Sequence, residues 1–212
     1  MSDDLLESIS QGGSEEEVTE NIRIREIADG LRRCCQLYEA QFRNGQENAS
    51  LFELEQRSAE IYAKSNNLWI PFCDIMSLGV PGPSGNENDL YVSNNTIYKV
   101  NNLLNSGGIL ALFDRIIGYN TLFYDTAYTF YAFTGIEGRT IMPVFTQMLV
   151  KDAVPATIVE IETYLAALGF SKVNSNGRYK NSEYEVWDLL PRNVLKDTDG
   201  DIYIIDAEIR RL

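Results

Sequence analysis

The residues best suited to chemistry lie near the end of the chain. Asp188 is followed five residues later by Asn193, and a second acid, Asp206, comes eighteen residues after the first. Between them, the residue pattern over 194–205 predicts two short strands joined by an Asp-Gly turn. Such a hairpin would bring the amide at its start close to the acid at its end. Amide and carboxylate oxygens are ligands for Mg²⁺, which usually binds nucleotide phosphates as well.

The spacing Asp188-Leu-Leu-Pro-Arg-Asn193, followed by the hairpin and an apolar-apolar-Asp ending, resembles the catalytic and metal-binding loops of eukaryotic-like kinases. The resemblance implies that Asp188 orients or deprotonates an acceptor hydroxyl and that Asn193 and Asp206 hold Mg²⁺. A simpler interpretation is a turn acid ahead of a hairpin with Asp199-Gly200 at its tip. That interpretation explains the hairpin but does not require the other residues to occur together.

Further parts of the same resemblance lie upstream, in matching order. Lys99 lies in a predicted strand, and a turn containing Gly82 and Gly85 precedes it by one strand. The resemblance implies that Lys99 contacts the donor phosphates and that the backbone of the glycine turn covers them. It also implies that Gln147 and Leu149 lie in the hinge that lines the adenine pocket.

Some positions depart from the protein-kinase pattern. Trp187 precedes Asp188 where an arginine is usual, and Ala207-Glu208 follows Asp206, as in the phosphotransferases that modify aminoglycosides or choline. Only six residues follow Asp206, so we expect no activation segment and a minimal C-terminal lobe. The acid that would pair with Lys99 stays open among four candidates: Glu87, Asp114, Asp125 and Glu137.

Residues 70–208 as a whole resemble the kinase-like domains of polyvalent proteins from phages and other mobile elements, most closely sequences of Bacteroidetes type. The supporting segments are Gly85-x-Glu87, Tyr98-Lys99-Val, Pro143-Val-x-x-Gln147, Leu168-Gly-Phe170 and Asp188-Leu-x-Pro-Arg-Asn193-Val-Leu. The resemblance implies a phosphotransferase that uses ATP and Mg²⁺ on a protein or small-molecule hydroxyl. The alternatives are a catalytically inactive, nucleotide-binding pseudokinase and a structural or virion-associated protein with the same fold.

We therefore predict an α+β chain with a reduced protein-kinase-like fold: a β-rich N-terminal lobe, a minimal C-terminal lobe and an N-terminal helical arm. The predicted units are a flexible acidic tail over 1–14, the arm over 15–65 and the kinase-like domain over 66–212. In the arm, a capping box at Ser14 and Glu17 opens a helix that ends near Asn44-Gly45, and a second helix covers 49–63.

Within the domain, residue patterns predict the elements that must position these side chains. The predicted strands are 90–92, 96–100, 126–133, 140–150, 184–188, 194–196 and 202–205, and the predicted helices are 102–119 and 156–168.

Composition narrows the classes of function. The net charge is −13, which argues against a broad basic face for nucleic acid. The absence of histidine excludes Ser-His-Asp and Cys-His catalysis. Three cysteines without a C-x-x-C pair favour a reducing compartment. We find no membrane span or signal sequence, and expect the cytoplasm of a bacterial or phage-infected cell, or a virion, with a homodimer plausible through the arm.

Overall fold

The computed structural model describes residues 15–43 and 50–212 of the chain. The acidic tail predicted over 1–14, the capping box at Ser14 and the helix end near Asn44 lie outside the described residues. Among the helices that the structure describes, none combines the length and apolar character needed to cross a bilayer.

Two helices form the N-terminal arm: α1, Glu15–Arg43, and α2, Leu51–Ser65. Helix α2 opens with a capping box, because Ser50 Oγ accepts from the Glu53 amide and the Glu53 carboxylate accepts from the Ser50 amide. The helices cross closely at Gly30, where an added Cβ would lie 2.5 Å from the Tyr62 ring. Among the described arm residues, five fully buried side chains join the main hydrophobic core: Ile24, Ala28, Leu31, Ala59 and Ala63.

A five-stranded antiparallel sheet follows, in the order β1-β2-β3-β5-β4. In strand β3, Lys99 pairs with Leu90 of β2 and Phe145 of β5, which places the lysine in the centre of the sheet. A 3₁₀ helix, Phe72–Leu78, precedes the sheet. The strands are β1, Val80–Pro81; β2, Asn88–Ser93; β3, Thr96–Asn101; β4, Thr129–Ile136; and β5, Thr140–Met148.

Helix α3, Ile109–Leu122, packs on this sheet and begins later than the predicted 102–119. The side chains of Asn101 and Asn102 accept hydrogen bonds from the amides two residues ahead, which favours turns over helix. Gly107 and Gly108 then adopt positive φ angles of 72° and 143°. These local turns delay the start of the helix. The apolar inner face of α3 packs against the aromatic core of the sheet.

The C-terminal part contains one helix and two small sheets, β11-β10-β6 and β12-β9-β8-β7. The predicted hairpin is present, with Val194 opposite Ile204 and Lys196 opposite Ile202. The elements are β6, Val154–Pro155; α4, Ile158–Ala167; β7, Ser171–Asn174; β8, Arg178–Lys180; β9, Tyr184–Trp187; β10, Val194–Lys196; β11, Ile202–Ile204; and β12, Glu208–Arg211. The predicted α+β class is confirmed, whereas β1, β6, β7, β8 and β12 were not predicted.

Candidate active site

A cleft of about 730 Å³ lies between the β1–β2 loop and the segments that flank the β10–β11 hairpin. Gly85 and Glu87 line it from the loop. Asp188, Asn193 and Asp206 line it from the opposite side. The structure therefore brings together the three polar residues that the sequence predicted for catalysis and metal binding, and it places part of the glycine turn across from them.

The loop between β9 and β10 is shaped around Asp188. This residue has a φ of 62°, in the left-handed region that aspartate tolerates better than most residues. The Asn193 Nδ2 donates to the Asp188 backbone oxygen and to its Oδ2, both at 2.8 Å. The other carboxylate oxygen of Asp188 is paired with the exposed Arg192 side chain. These contacts hold the Asp188 carboxylate in a fixed orientation at the edge of the cleft.

The two predicted metal ligands are brought together by backbone pairing. The Ile205 amide donates to the Asn193 backbone oxygen at 2.9 Å, which places Asp206 next to Asn193. Because Asn193 uses its Nδ2 to bind Asp188, its amide oxygen Oδ1 is the atom left for a cation. Within the described ranges, no group of three or more acidic, cysteine or histidine residues could hold a metal ion. One amide and one carboxylate oxygen fit Mg²⁺ when phosphate oxygens complete the coordination.

Lys99 lies beneath the cleft and not on its surface. Lys99 is 6 % exposed, and its Nζ donates to the Tyr128 hydroxyl and to the Ile205 carbonyl, each at 2.9 Å. The Tyr128 hydroxyl also lies 3.5 Å from Oδ1 of Asp206. Lys99 and Asp206 line one small cavity of about 20 Å³, room for about one water. Burial lowers the pKa of Lys99, and the Asp206 carboxylate opposes that shift.

The sequence predicts that one of four acids pairs with Lys99. None of the four does so in the structure. Glu87 pairs with Arg115, Asp114 with Arg32, and Glu137 with Lys64, while Asp125 forms no ion pair among the described residues. A tyrosine hydroxyl and a backbone carbonyl take the place of the expected carboxylate. Tyr128 and Ile205 thus accept the hydrogen bonds of the Lys99 ammonium, and Asp206 supplies the nearby negative charge.

Three other predicted residues do not line the cleft. The Gln147 side chain is buried, and its Nε2 donates to the Thr126 backbone oxygen at 2.6 Å, so it faces the core. The Leu149 amide is bound to the Asn95 backbone oxygen at 2.8 Å. The Gly82 amide is bound to Leu90 in the β1–β2 hairpin. Neither Gln147 nor Leu149 therefore directs a side chain or an amide into this cleft, as the predicted adenine-lining role would require.

The sequence did not predict two residues that contact the site. Arg115 of α3 pairs with both Glu87 and Glu208, and Tyr128 binds Lys99. Arg115 carried a usable signal, because it is the only basic residue in an otherwise mostly apolar helix. Tyr128 carried none, since nothing in its neighbourhood distinguishes it from the other tyrosines of the chain.

The chain matches one family of known proteins. A family model described as serine/threonine/tyrosine kinase found in polyvalent proteins matches residues 53–211, three quarters of the chain. This match confirms the resemblance drawn from the motifs, and it begins within helix α2. No curated protein and no solved structure matches the chain.

Proposed function

Since the chain belongs to the family of serine/threonine/tyrosine kinases found in polyvalent proteins, we propose that it is an ATP- and Mg²⁺-dependent phosphotransferase with a reduced kinase-like fold. The observation that carries the proposal is the shared cleft of Asp188, Asn193 and Asp206, facing the loop of Gly85. The acceptor is a hydroxyl of a protein or a small molecule.

The proposal gives a chemical task to Asn193, Asp206, Asp188, the loop of Gly85 and the buried Lys99. The Asn193 Oδ1 and the Asp206 carboxylate hold the cation, and the loop of Gly85 covers the phosphates from the opposite wall. Asp188 lies on the same side of the cleft and accepts the proton of the acceptor hydroxyl. Lys99 fixes the backbone before Asp206 and adds positive charge beneath it. Bound ATP with Mg²⁺ supplies a phosphoryl group whose developing charge the metal neutralises.

A second function is favoured by a specific contact at Asp188. Both carboxylate oxygens of this residue are engaged, one by Asn193 and one by Arg192. While these two contacts persist, neither carboxylate oxygen is free to accept the proton of an acceptor hydroxyl. If Arg192 does not move away when an acceptor binds, the protein binds nucleotide without transferring phosphate. Arg192 is exposed, so the pair can exchange with solvent.

Calorimetry with ATP, in Mg²⁺ and in EDTA, tests nucleotide binding directly. We expect tighter binding with Mg²⁺, and we expect Asp206→Asn to remove most of that gain because it deletes the charge opposing the cation. Asp201→Asn, an exposed acid at the hairpin tip, is the matched control and should bind as the wild type does. Absence of binding at millimolar ATP and Mg²⁺ contradicts the proposal.

ADP formation in the presence of a panel of peptide and small-molecule hydroxyls separates the two functions. Asp188→Asn should keep nucleotide affinity and abolish transfer, and asparagine suits the left-handed backbone at this position. Arg192→Gln should retain or raise the rate of transfer if the wild type is active. If neither the wild type nor Arg192→Gln forms ADP while both bind nucleotide, the non-transferring function is correct.

A further inference from the structure

A single arginine joins the two walls of the cleft. From helix α3, Arg115 Nη1 donates to both oxygens of Glu208, at 2.8 and 2.6 Å, and its Nη2 donates to Oε1 of Glu87 at 2.9 Å. Glu208 lies two residues after Asp206, and Glu87 lies in the loop that faces it. The Arg115 side chain is 16 % exposed, so solvent screens these charges less than it screens a surface ion pair.

The pairing decides which carboxylates a cation can reach. The segment Asp206-Ala207-Glu208 places two acids on the wall of the cleft. Arg115 occupies both oxygens of Glu208, whereas Asp206 is exposed and has no ion-pair partner among the described residues. Arg115 therefore holds Glu208 in an ion pair, and Asp206 is the carboxylate of this segment that stays available to a metal ion.

The helix that carries Arg115 is anchored by the N-terminal arm. Helix α3 has no side-chain cap at its own N-cap residue, Gly108. Instead, Glu55 of α2 accepts from the amides of Ile109 at 2.8 Å and Leu110 at 3.0 Å. A carboxylate at this position also interacts favourably with the helix dipole. Gly108 has a φ of 143°, which L side chains rarely adopt, and an added Cβ would lie 2.5 Å from Oε2 of Glu55 and displace this carboxylate.

We propose that Arg115 is a positioning residue of this site, which holds the loop of Glu87 at a fixed distance from Asp206 and withholds Glu208 from the cation. This role deepens the proposed function and rests on it. Glu55 supports the role from the arm by fixing the start of α3. Arg115 itself does not contact the reacting atoms in this scheme.

Two measurements on the full chain test the role: calorimetry with ATP and Mg²⁺, and binding of Mn²⁺ alone followed by electron paramagnetic resonance. We expect Arg115→Gln to weaken MgATP binding about tenfold and to raise Mn²⁺ affinity severalfold, because it frees a second carboxylate beside Asp206. Arg115→Gln combined with Glu208→Gln should return Mn²⁺ affinity to the wild-type value. Arg115→Lys, which keeps the charge, should leave Mn²⁺ affinity close to that of the wild type.

The matched control is Arg32→Gln, which breaks an exposed ion pair with Asp114, the neighbour of Arg115 on α3. It should change neither measurement. A folded Arg115→Gln protein with unchanged Mn²⁺ affinity overturns the proposal. If Arg115→Gln does not fold, Glu208→Gln tests the same wall, and unchanged MgATP affinity in that variant overturns the proposal.

These outcomes are separable from the fate of the proposed function. Mn²⁺ binding needs no nucleotide, so a rise in Arg115→Gln supports the withholding of Glu208 even if the wild type binds no ATP. In that case the phosphotransferase proposal fails and the arrangement of charges stands. Conversely, a wild type that binds MgATP while Arg115→Gln matches it in both measurements retains the proposed function and loses the role of Arg115.

Discussion

Lys99 donates a hydrogen bond of 2.9 Å to the backbone oxygen of Ile205, the residue before Asp206. The contact connects the centre of the large sheet to the end of the hairpin, 106 positions further along the chain. It fixes the backbone from which the Asp206 side chain enters the cleft. The ammonium thus acts on the position of Asp206 as well as on the charge around it.

The buried charge of Lys99 makes stability depend on pH. Because burial lowers its pKa in the folded state, the unfolded chain binds more protons between the folded pKa and the unfolded value of about 10.4. The free energy of unfolding contributed by Lys99 should therefore rise with pH through this window. Replacing it in Lys99→Met should remove the rise.

Urea denaturation of both proteins at a series of pH values up to about 10.4 checks this sign. The difference between the two unfolding free energies should shift in favour of the wild type as pH increases. Titration of the other groups largely cancels in that difference. A constant difference across the series would show that Lys99 is not charged and desolvated in the folded protein.

Glu160 provides a second pH dependence of the same sign, in the acid range. Its pKa is lowered to about 2, first by the hydrogen bond from Lys196 and then by those from the Thr157 side chain and amide. The stability that it contributes is complete above the unfolded pKa of about 4.3 and is lost as pH falls toward about 2. We expect Glu160→Gln to destabilise the protein at pH 6 and to have little effect near pH 2.

Denaturation of Glu160→Gln at the two pH values measures this loss. Glu162→Gln is the control, because Glu162 lies on the same helix and pairs with Lys172 but does not cap the helix. The control should lose less stability at pH 6. Equal losses in Glu160→Gln at both pH values would contradict the lowered pKa.

The cap that Glu55 gives to α3 should be visible in hydrogen exchange. Glu55→Gln weakens the acceptors of the Ile109 and Leu110 amides and removes the favourable charge at the helix N-terminus. We expect a loss of about 1 kcal/mol in unfolding free energy and faster exchange in the first turn of α3. Glu53→Gln, which affects the cap of α2, should accelerate exchange around residue 53 and leave α3 protected.

The arrangement of the loop between Asp188 and Asp206 could be predicted because its geometry is local. Asn193 and Asp206 are joined by a short hairpin, and pairing across two strands determines which ends meet. The partners of Lys99 could not be predicted in the same way. Tyr128 and Ile205 are 29 and 106 positions away, and their approach depends on how the sheet packs against the C-terminal segment.

The start of α3 also depends on a residue that is distant in the sequence. The turns at Asn101 and Asn102 and the two glycines delay the helix start locally. The cap of its first turn comes from a carboxylate on α2, 54 positions earlier, which the local sequence does not indicate. The division of the chain at residue 66 stays a prediction, although buried residues of α1 and α2 lie in the same hydrophobic core as the sheet.

The aromatic core beneath the sheet should dominate stability. Phe113 of α3 is fully buried and contacts the rings of Phe130, Phe133 and Phe145, with ring centroids 5.6 to 6.1 Å apart. Phe113→Ala removes these contacts and leaves a cavity that the surrounding rings fill only in part. We expect a loss of about 3–5 kcal/mol in unfolding free energy.

Thermal and urea denaturation measure this loss, with Phe52→Ala as the control. Phe52 lies on α2 and is 48 % exposed, so its truncation should cost much less than that of Phe113. Because Arg115 lies two positions after Phe113 on the same helix, the cavity should also loosen the network with Glu87 and Glu208. Similar losses in the two variants would show that α3 is not packed on the aromatic core as described.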